Sequence, residues 1–162
     1  MNIFVLDIDP TEAAIAQCDK HVVKMPLECA QMLSTVHHIY ESDRVDEVYK
    51  PTHRHHPCTV WAATSRSNYY WLYDHFEALA HEYFYRYYRY HKSWSKLREP
   101  LRHPPTGLRG VGLTTFAQAM PDEYKCDDAV AAYQSFYRSE KKSFLVYSKR
   151  MAPDWLTEPR TY

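Results

Sequence analysis

Apolar residues recur at alternating intervals of three and four along three stretches of this chain, the spacing of a helix that buries one face. In the first, Val22, Met25, Cys29, Met32, Val36 and Ile39 form one stripe, with Pro26 inside it, where a helix must begin or bend. In the second, Leu72, Phe76, Leu79, Tyr83 and Tyr87 repeat, continued by Tyr90, with Ser67 or Asn68 as the expected cap and Trp61 upstream. The third runs through Val130, Tyr133, Tyr137, Phe144, Tyr147 and Met151, capped by Asp127 or Asp128 and stopped by Pro153. Lys149 and Arg150 suit the negative end of that helix's dipole. A shorter helix starts at Asp9-Pro10-Thr11-Glu12, with Asp9 as N-cap and Pro10 in the first turn. Asn2–Leu6 is apolar and partly β-branched, which predicts a short strand or extended arm. Residues 41–56 are polar and read as a loop, after which Pro57 and Thr59 can open another helix. Residues 93–115 are broken by Pro100, Pro104, Pro105, Gly107, Gly110 and Gly112 and read as a long loop.

This pattern predicts an all-α fold: a compact bundle of about four to five helices with an N-terminal arm and the 93–115 loop. The 162 residues suit one domain spanning 1–162. All three glycines fall between Gly107 and Gly112, so tight β-turns are scarce elsewhere. No apolar run approaches the roughly 20 residues that span a bilayer. Met1–Leu6 is interrupted at once by Asp7 and Asp9, unlike a secretory leader. The four scattered cysteines then read as free thiols in a reducing compartment, and the expected location is cytoplasmic.

A second stripe runs beside the first apolar one. His21, Lys24, Glu28, Gln31, Thr35 and His38 share its three-four spacing and project from one flank of the helix. Within it, His21, Lys24, Glu28 and Gln31 combine a carboxylate, an amine, an imidazole and an amide, the groups that proton transfer needs. The competing reading is a solvated flank in which Lys24–Glu28 is an ordinary surface pair. His53, His55, His56 and Cys58, with Cys18 and His21, are residue types that zinc favours, but paired CxxC spacing is absent, and neither a metal nor a cofactor is expected. P-loop, GxGxxG, GxSxG and HExxH patterns are absent as well.

Acidic and basic residues cancel at 20 each, yet residues 84–112 hold seven bases against one acid. Within that stretch Tyr83-Phe84-Tyr85-Arg86-Tyr87-Tyr88-Arg89-Tyr90-His91-Lys92 interleaves aromatics with cations. Tyrosines stack on bases and arginines hold phosphates, so Tyr85, Tyr88, Arg86, Arg89 and Lys92, joined by His56, form a candidate DNA-binding set.

Cys18–Met25 (CDKHVVKM), His56-Pro57 with Trp61, Asn68–Leu72 (NYYWL), Arg86–Ser93 (RYYRYHKS), Gln118–Lys125 (QAMPDEYK) and the spaced set from Glu140 to Trp155 resemble the corresponding strings of a family of small phage-encoded proteins. The order of elements is also similar to that of the pyrimidine-dimer DNA glycosylases of the endonuclease V type. That resemblance implies a small all-α protein whose early helix carries a catalytic Glu, here Glu28, seven residues after His21. It implies an aromatic and basic central region and a closing Pro–aromatic element, here Pro153-Asp154-Trp155. It also implies attack on the sugar by an N-terminal amine freed by removal of the initiator Met. The chain departs from the pattern in two places. Residue 2 is Asn2, a poor context for Met removal, and Leu27 and Gln31 stand where arginines flank the family's Glu. Lys24 is then an alternative Schiff-base amine.

The expected activity is that of a phage-type DNA-acting enzyme working on a pyrimidine base or its glycosidic bond, as a glycosylase or base-modifying enzyme. Its partner is DNA, in the host cytoplasm if phage-encoded. Glu28 would serve as acid, base or charge stabiliser, oriented by His21, Lys24 and Gln31. The alternative is a non-catalytic phage accessory protein that binds nucleic acid or a host protein through its Tyr/Arg-rich surface. Burial of Glu28 beside His21 and Lys24 favours chemistry, whereas full solvation favours binding.

Overall fold

The computed structural model describes residues 1–140, 143 and 145–157. Helix covers more than half of the described residues, and no strand occurs among them, as the periodicity predicts. The helices are α1 (Pro10–Ile15), α2 (Asp19–Ile39), α3 (Pro57–Ala62), α4 (Arg66–Tyr87), α5 (Lys92–Leu97), α6 (Ala129–Glu140) and α7 (Asp154–Thr157).

The local signals explain most boundaries. Asp9 Oδ1 accepts from the Thr11 and Glu12 amides at 2.7 and 3.2 Å, with Pro10 in the first turn of α1. Helix α2 passes through Pro26 without ending. Proline removes one backbone donor and loosens the turn before it, and there His91 supplies a donor from its Nε2 to the Val23 carbonyl at 3.0 Å. Helix α4 starts two residues before the expected caps: Ser65 accepts from the Asn68 amide at 3.0 Å. It ends at Tyr88, whose φ of 57° puts it in the left-handed region. Tyr90 is therefore off the buried stripe and 66% exposed.

α2 and α4 pack against each other in opposite directions. Arg86, near the end of α4, meets Asp19 at the start of α2, and His37, near the end of α2, meets Tyr69 at the start of α4. α1 lies against α4, where Trp71 Nε1 donates to Ile8 O and Arg86 donates to Ile15 O.

Of the two forms expected for Asn2–Leu6, the strand is absent and the arm is present; it is buried, and Asn2 Oδ1 accepts from the Ile3 and Phe4 amides to turn it on itself. Two expectations are corrected. The 93–115 stretch opens with helix α5, because Trp94 and Leu97 fill the core and His91 caps the Ser93 amide. The third helix ends at Glu140 instead of running on to Arg150. Residues 146–150 are pulled onto α2 and α4: Asp19 N donates to Val146 O at 2.8 Å, Ser148 donates to Asp19 from both N and Oγ, and Arg150 grips Glu82. Those bonds need backbone amides and carbonyls that a helix would consume. Phe144 lies outside the described residues.

The remaining loop is fixed by close packing. A side chain at Gly110 would come within 2.5 Å of the Thr64 carbonyl, and the Arg66 amide donates to Gly110 O at 2.6 Å. No helix among the described residues is long and apolar enough to cross a membrane.

Two buried histidines are held neutral. His75 joins Pro10 O and Gln17 Nε2, and His37 lies between Ser42 Oγ and the Tyr69 hydroxyl. Burial lowers both from 6.5 to about 4. In the unfolded chain they take protons below 6.5, while the native protein resists until about 4. Their contribution to stability is whole above pH 6.5 and is lost as pH falls toward 4. Unfolding at pH 5 is expected to take up about two protons through these residues, against almost none at pH 8. Urea titrations across that range check this, and a flat stability profile between the two values contradicts it.

Candidate functional site

The site begins with the arm. Ile3, Phe4, Val5 and Leu6 are all at most 3% exposed, so the first residues are threaded into the core. Phe4 stacks on His21 with ring centroids 4.4 Å apart. Asn2 Nδ2 donates to Ala119 O, and Gln134 donates to Leu6 O. Held at these points, the arm places the Met1 amino group 2.9 Å from Glu28 Oε1. The Met1 side chain is 3% exposed and that of Glu28 7%, while Met1 as a whole residue is half-buried. The second carboxylate oxygen, Oε2, is buried without a hydrogen-bond partner. Lys24 Nζ stands 3.7 Å from it, beyond hydrogen-bond reach, on a side chain 64% exposed.

The second stripe of α2 is thus divided. Glu28 and Thr35 are buried, Gln31 and His38 are half-buried, and Lys24 forms the rim. Glu28 is not the solvated flank that the competing reading required. His21 is placed differently from expectation. It lies beneath the arm, Nδ1 at 2.9 Å from the Tyr137 hydroxyl, which accepts from the Cys18 amide. Stacked on Phe4, it supports the arm that carries the amine.

His56 caps α3, its Nδ1 accepting from the Cys58 amide at 3.1 Å. Burial, then the positive Met1 amine, lowers its pKa, while Glu28 acts the other way. Cys58 is buried next to the arm, and burial pushes its thiol up to about 12. Among the described residues, no group of three or more His, Cys, Asp or Glu side chains could hold a metal ion.

The expected DNA-binding set is split by the fold. Arg86 has a fully buried side chain, committed to Glu82 Oε1 at 2.9 Å, Asp19 Oδ1 at 3.0 Å and Ile15 O at 3.0 Å. It has no donor left facing solvent, because the interval of four from Glu82 turns it into the α1–α2–α4 junction. Tyr85 and Tyr88 are exposed, but Arg150 and Lys149 cover their rings at 4.1 and 3.2 Å. Arg89 and Lys92 are exposed and available, although Arg89 also donates to the Tyr83 hydroxyl. α5 packs on α2, and its Lys92 and Lys96 are exposed.

Sequence reasoning missed the Met1 amine as the nearest partner of Glu28 and left Lys96 out of the cationic set. The apolar arm was legible, but its threading past His21 is a tertiary fact. A cavity of about 490 Å3 between α1 and α4 is lined by Tyr85 of the expected DNA-binding set but by none of Met1, His21, Lys24, Glu28 or Gln31.

The family model for pyrimidine dimer DNA glycosylases matches residues 1–96, a segment that contains Met1, His21, Lys24, Glu28, Gln31 and His56. No curated protein and no solved structure matches the chain.

Two arginines three residues apart are expected to behave oppositely. Arg86→Ala leaves Glu82 and Asp19 without their buried partner and is expected to cost about 3–5 kcal/mol of stability. Arg89→Glu is expected to change stability by about 0.5 kcal/mol or less while weakening DNA binding and flattening its salt dependence. Thermal melts and salt-titrated binding distinguish them; similar melts for the two variants would remove Arg86 from its structural role.

Proposed function

From the fact that the chain belongs to the pyrimidine dimer DNA glycosylase family, we propose that it breaks the glycosidic bond of a damaged pyrimidine nucleotide in DNA and then cuts the strand. The observation that carries this reading is the Met1 amine 2.9 Å from the buried Glu28 carboxylate. An amine attacks only when its lone pair is free, and a carboxylate at that distance is placed to take its proton. The amine nitrogen bonds to C1′ as the C1′–N1 pair leaves with the base. The C1′–O4′ bond then breaks as Glu28 returns the proton to O4′, which opens the ring to a protonated imine whose positive charge the regenerated Glu28 carboxylate stabilises. Removal of a C2′ proton, with Glu28 as base, then expels the 3′ phosphate and breaks the strand.

His21 supports the reading from beneath, by fixing the arm, and Gln31 follows Glu28 one turn along α2. Lys24, Arg89, Lys92 and Lys96 supply positive charge for phosphates. The Met1 amine is read as the nucleophile in place of one freed by Met removal, because it is the amine that stands 2.9 Å from Glu28 Oε1. Lys24 is the second candidate amine, 3.7 Å from the same carboxylate but mostly in solvent. A purely DNA-binding or protein-binding role gives no reason for a carboxylate 5% exposed beside an amine.

The test uses a duplex oligonucleotide with one cyclobutane pyrimidine dimer. The protein is expected to cut it at the dimer, and borohydride to trap a covalent complex whose peptide map carries the sugar on Met1. Sugar on Lys24 would transfer the nucleophile's role; no cutting and no trapping would overturn the reading. Glu28→Gln keeps an acceptor for the amine and is expected to stay folded while losing about two or more orders of magnitude in rate. Wild-type rates in that variant would remove Glu28 from the mechanism.

A further inference from the structure

Helix α2 is covered along most of its length. Of its 21 residues the exposed ones are Lys20, Val23, Lys24 and Leu27. Their spacing sets them side by side over two turns, as one window in the helix. Val22, Met25 and Cys29 on the covered face are at most 4% exposed, whereas Val23 is 46% and Leu27 40% exposed. The window opens beside the reactive pair. Leu27 directly precedes Glu28, and Lys24 Nζ stands 3.7 Å from Glu28 Oε2, while the Met1 amine meets Oε1 at 2.9 Å. The turn that carries Val23 is held from outside by His91, whose Nε2 donates to the Val23 carbonyl at 3.0 Å.

The lysines of this window suit phosphates, to which an aliphatic side chain offers nothing. The parts of DNA that gain from aliphatic contact are the flat faces of the bases, which stacking covers until a step is opened. The site itself requires such an opening. Glu28 is 5% exposed, so its carboxylate lies below the surface of the protein, and C1′ of a stacked nucleotide lies inside the duplex. The two meet only if the damaged nucleotide moves out of line toward α2, which unstacks it from its neighbour. On the proposed function, we infer that Val23 and Leu27 form an apolar wedge that enters the DNA beside the damaged nucleotide and covers the base face uncovered there. Lys24, between them, supplies charge for a phosphate. The wedge offsets the cost of unstacking at the one place where the amine and Glu28 can use it.

Val23→Ala and Leu27→Ala together remove the wedge and leave a good helix former at both positions. Leu27→Met retains the bulk. Each variant is compared with wild type in single-turnover cutting, at saturating protein, of two duplexes that carry the same pyrimidine dimer. In one the dimer is correctly paired; in the other it faces mismatched bases and is already partly unstacked, so it needs the wedge less. Thermal melts and binding titrations accompany the rates. The double Ala variant is expected to lose about tenfold or more on the paired duplex and to change by less than about threefold on the mismatched one. Leu27→Met is expected to keep wild-type rates on both, and the wild type to cut the mismatched duplex at least as fast as the paired one. Equal losses on both duplexes would make the two residues a support for the fold or for general affinity, and undiminished rates on both would leave the window to a partner other than DNA; either result overturns the inference. Slower cutting of the mismatched duplex by the wild type, or a Leu27→Met variant as slow as the double Ala variant, would overturn it as well. Failure of the wild-type protein to cut either duplex would instead overturn the proposed function, so the two failures are distinguishable.

Discussion

The Arg86 guanidinium is the point on which the arrangement of helices depends. Its three nitrogens reach Glu82 on its own helix, Asp19 at the start of α2 and the Ile15 carbonyl at the end of α1. A buried charge of this kind is tolerated only when every donor is paired, and these partners come from three elements. Asp19 and Glu82 are in turn shared with Ser148 and Arg150, which draw the C-terminal segment over the same junction. One end of the α2–α4 pair is thereby fixed. The other is closed by His37 between Ser42 and Tyr69, whose hydroxyl donates to Leu101 O at 2.6 Å.

Fixing α2 at both ends gives the N-terminal arm a constant surface to cross. The arm packs through Phe4 on His21, through Asn2 on residue 119 and through Leu6 on α6. The amine at its end is thereby placed by core packing against a carboxylate on a rigid helix. A functional group built on buried, regular structure is held more tightly than one on a loop. The reactive pair and the stability of the core are coupled for that reason: what disturbs the arm moves the amine.

The α-helical class, the capped start of α1, and the two long stripes on α2 and α4 were legible in the sequence because helical periodicity and capping are local. Glu28 was legible as a candidate because its neighbours at intervals of three and four are polar while the adjacent stripe is apolar. The same local logic misplaced Arg86. An Arg among tyrosines in a basic run looks like a phosphate contact, and only the facing carboxylates of Glu82 and Asp19 turn it inward. The third stripe beyond Glu140 failed similarly, since Tyr147 fits a helical repeat, yet its hydroxyl donates to Ala16 O from a non-helical segment.

By itself, then, the sequence determined where helices can start and which face of each is apolar, through spacing, caps and prolines whose effects reach no further than one or two turns. It also held, in Glu28 and the strings around it, the resemblance that points toward DNA repair chemistry. The tertiary structure decided which polar groups are removed from water and which face each other. It placed Met1 against Glu28, separated by 27 positions, and set His21 beneath the arm. Those relations are products of packing between distant segments, and burial, which sets the strength of every charge in the site, exists only once that packing is complete.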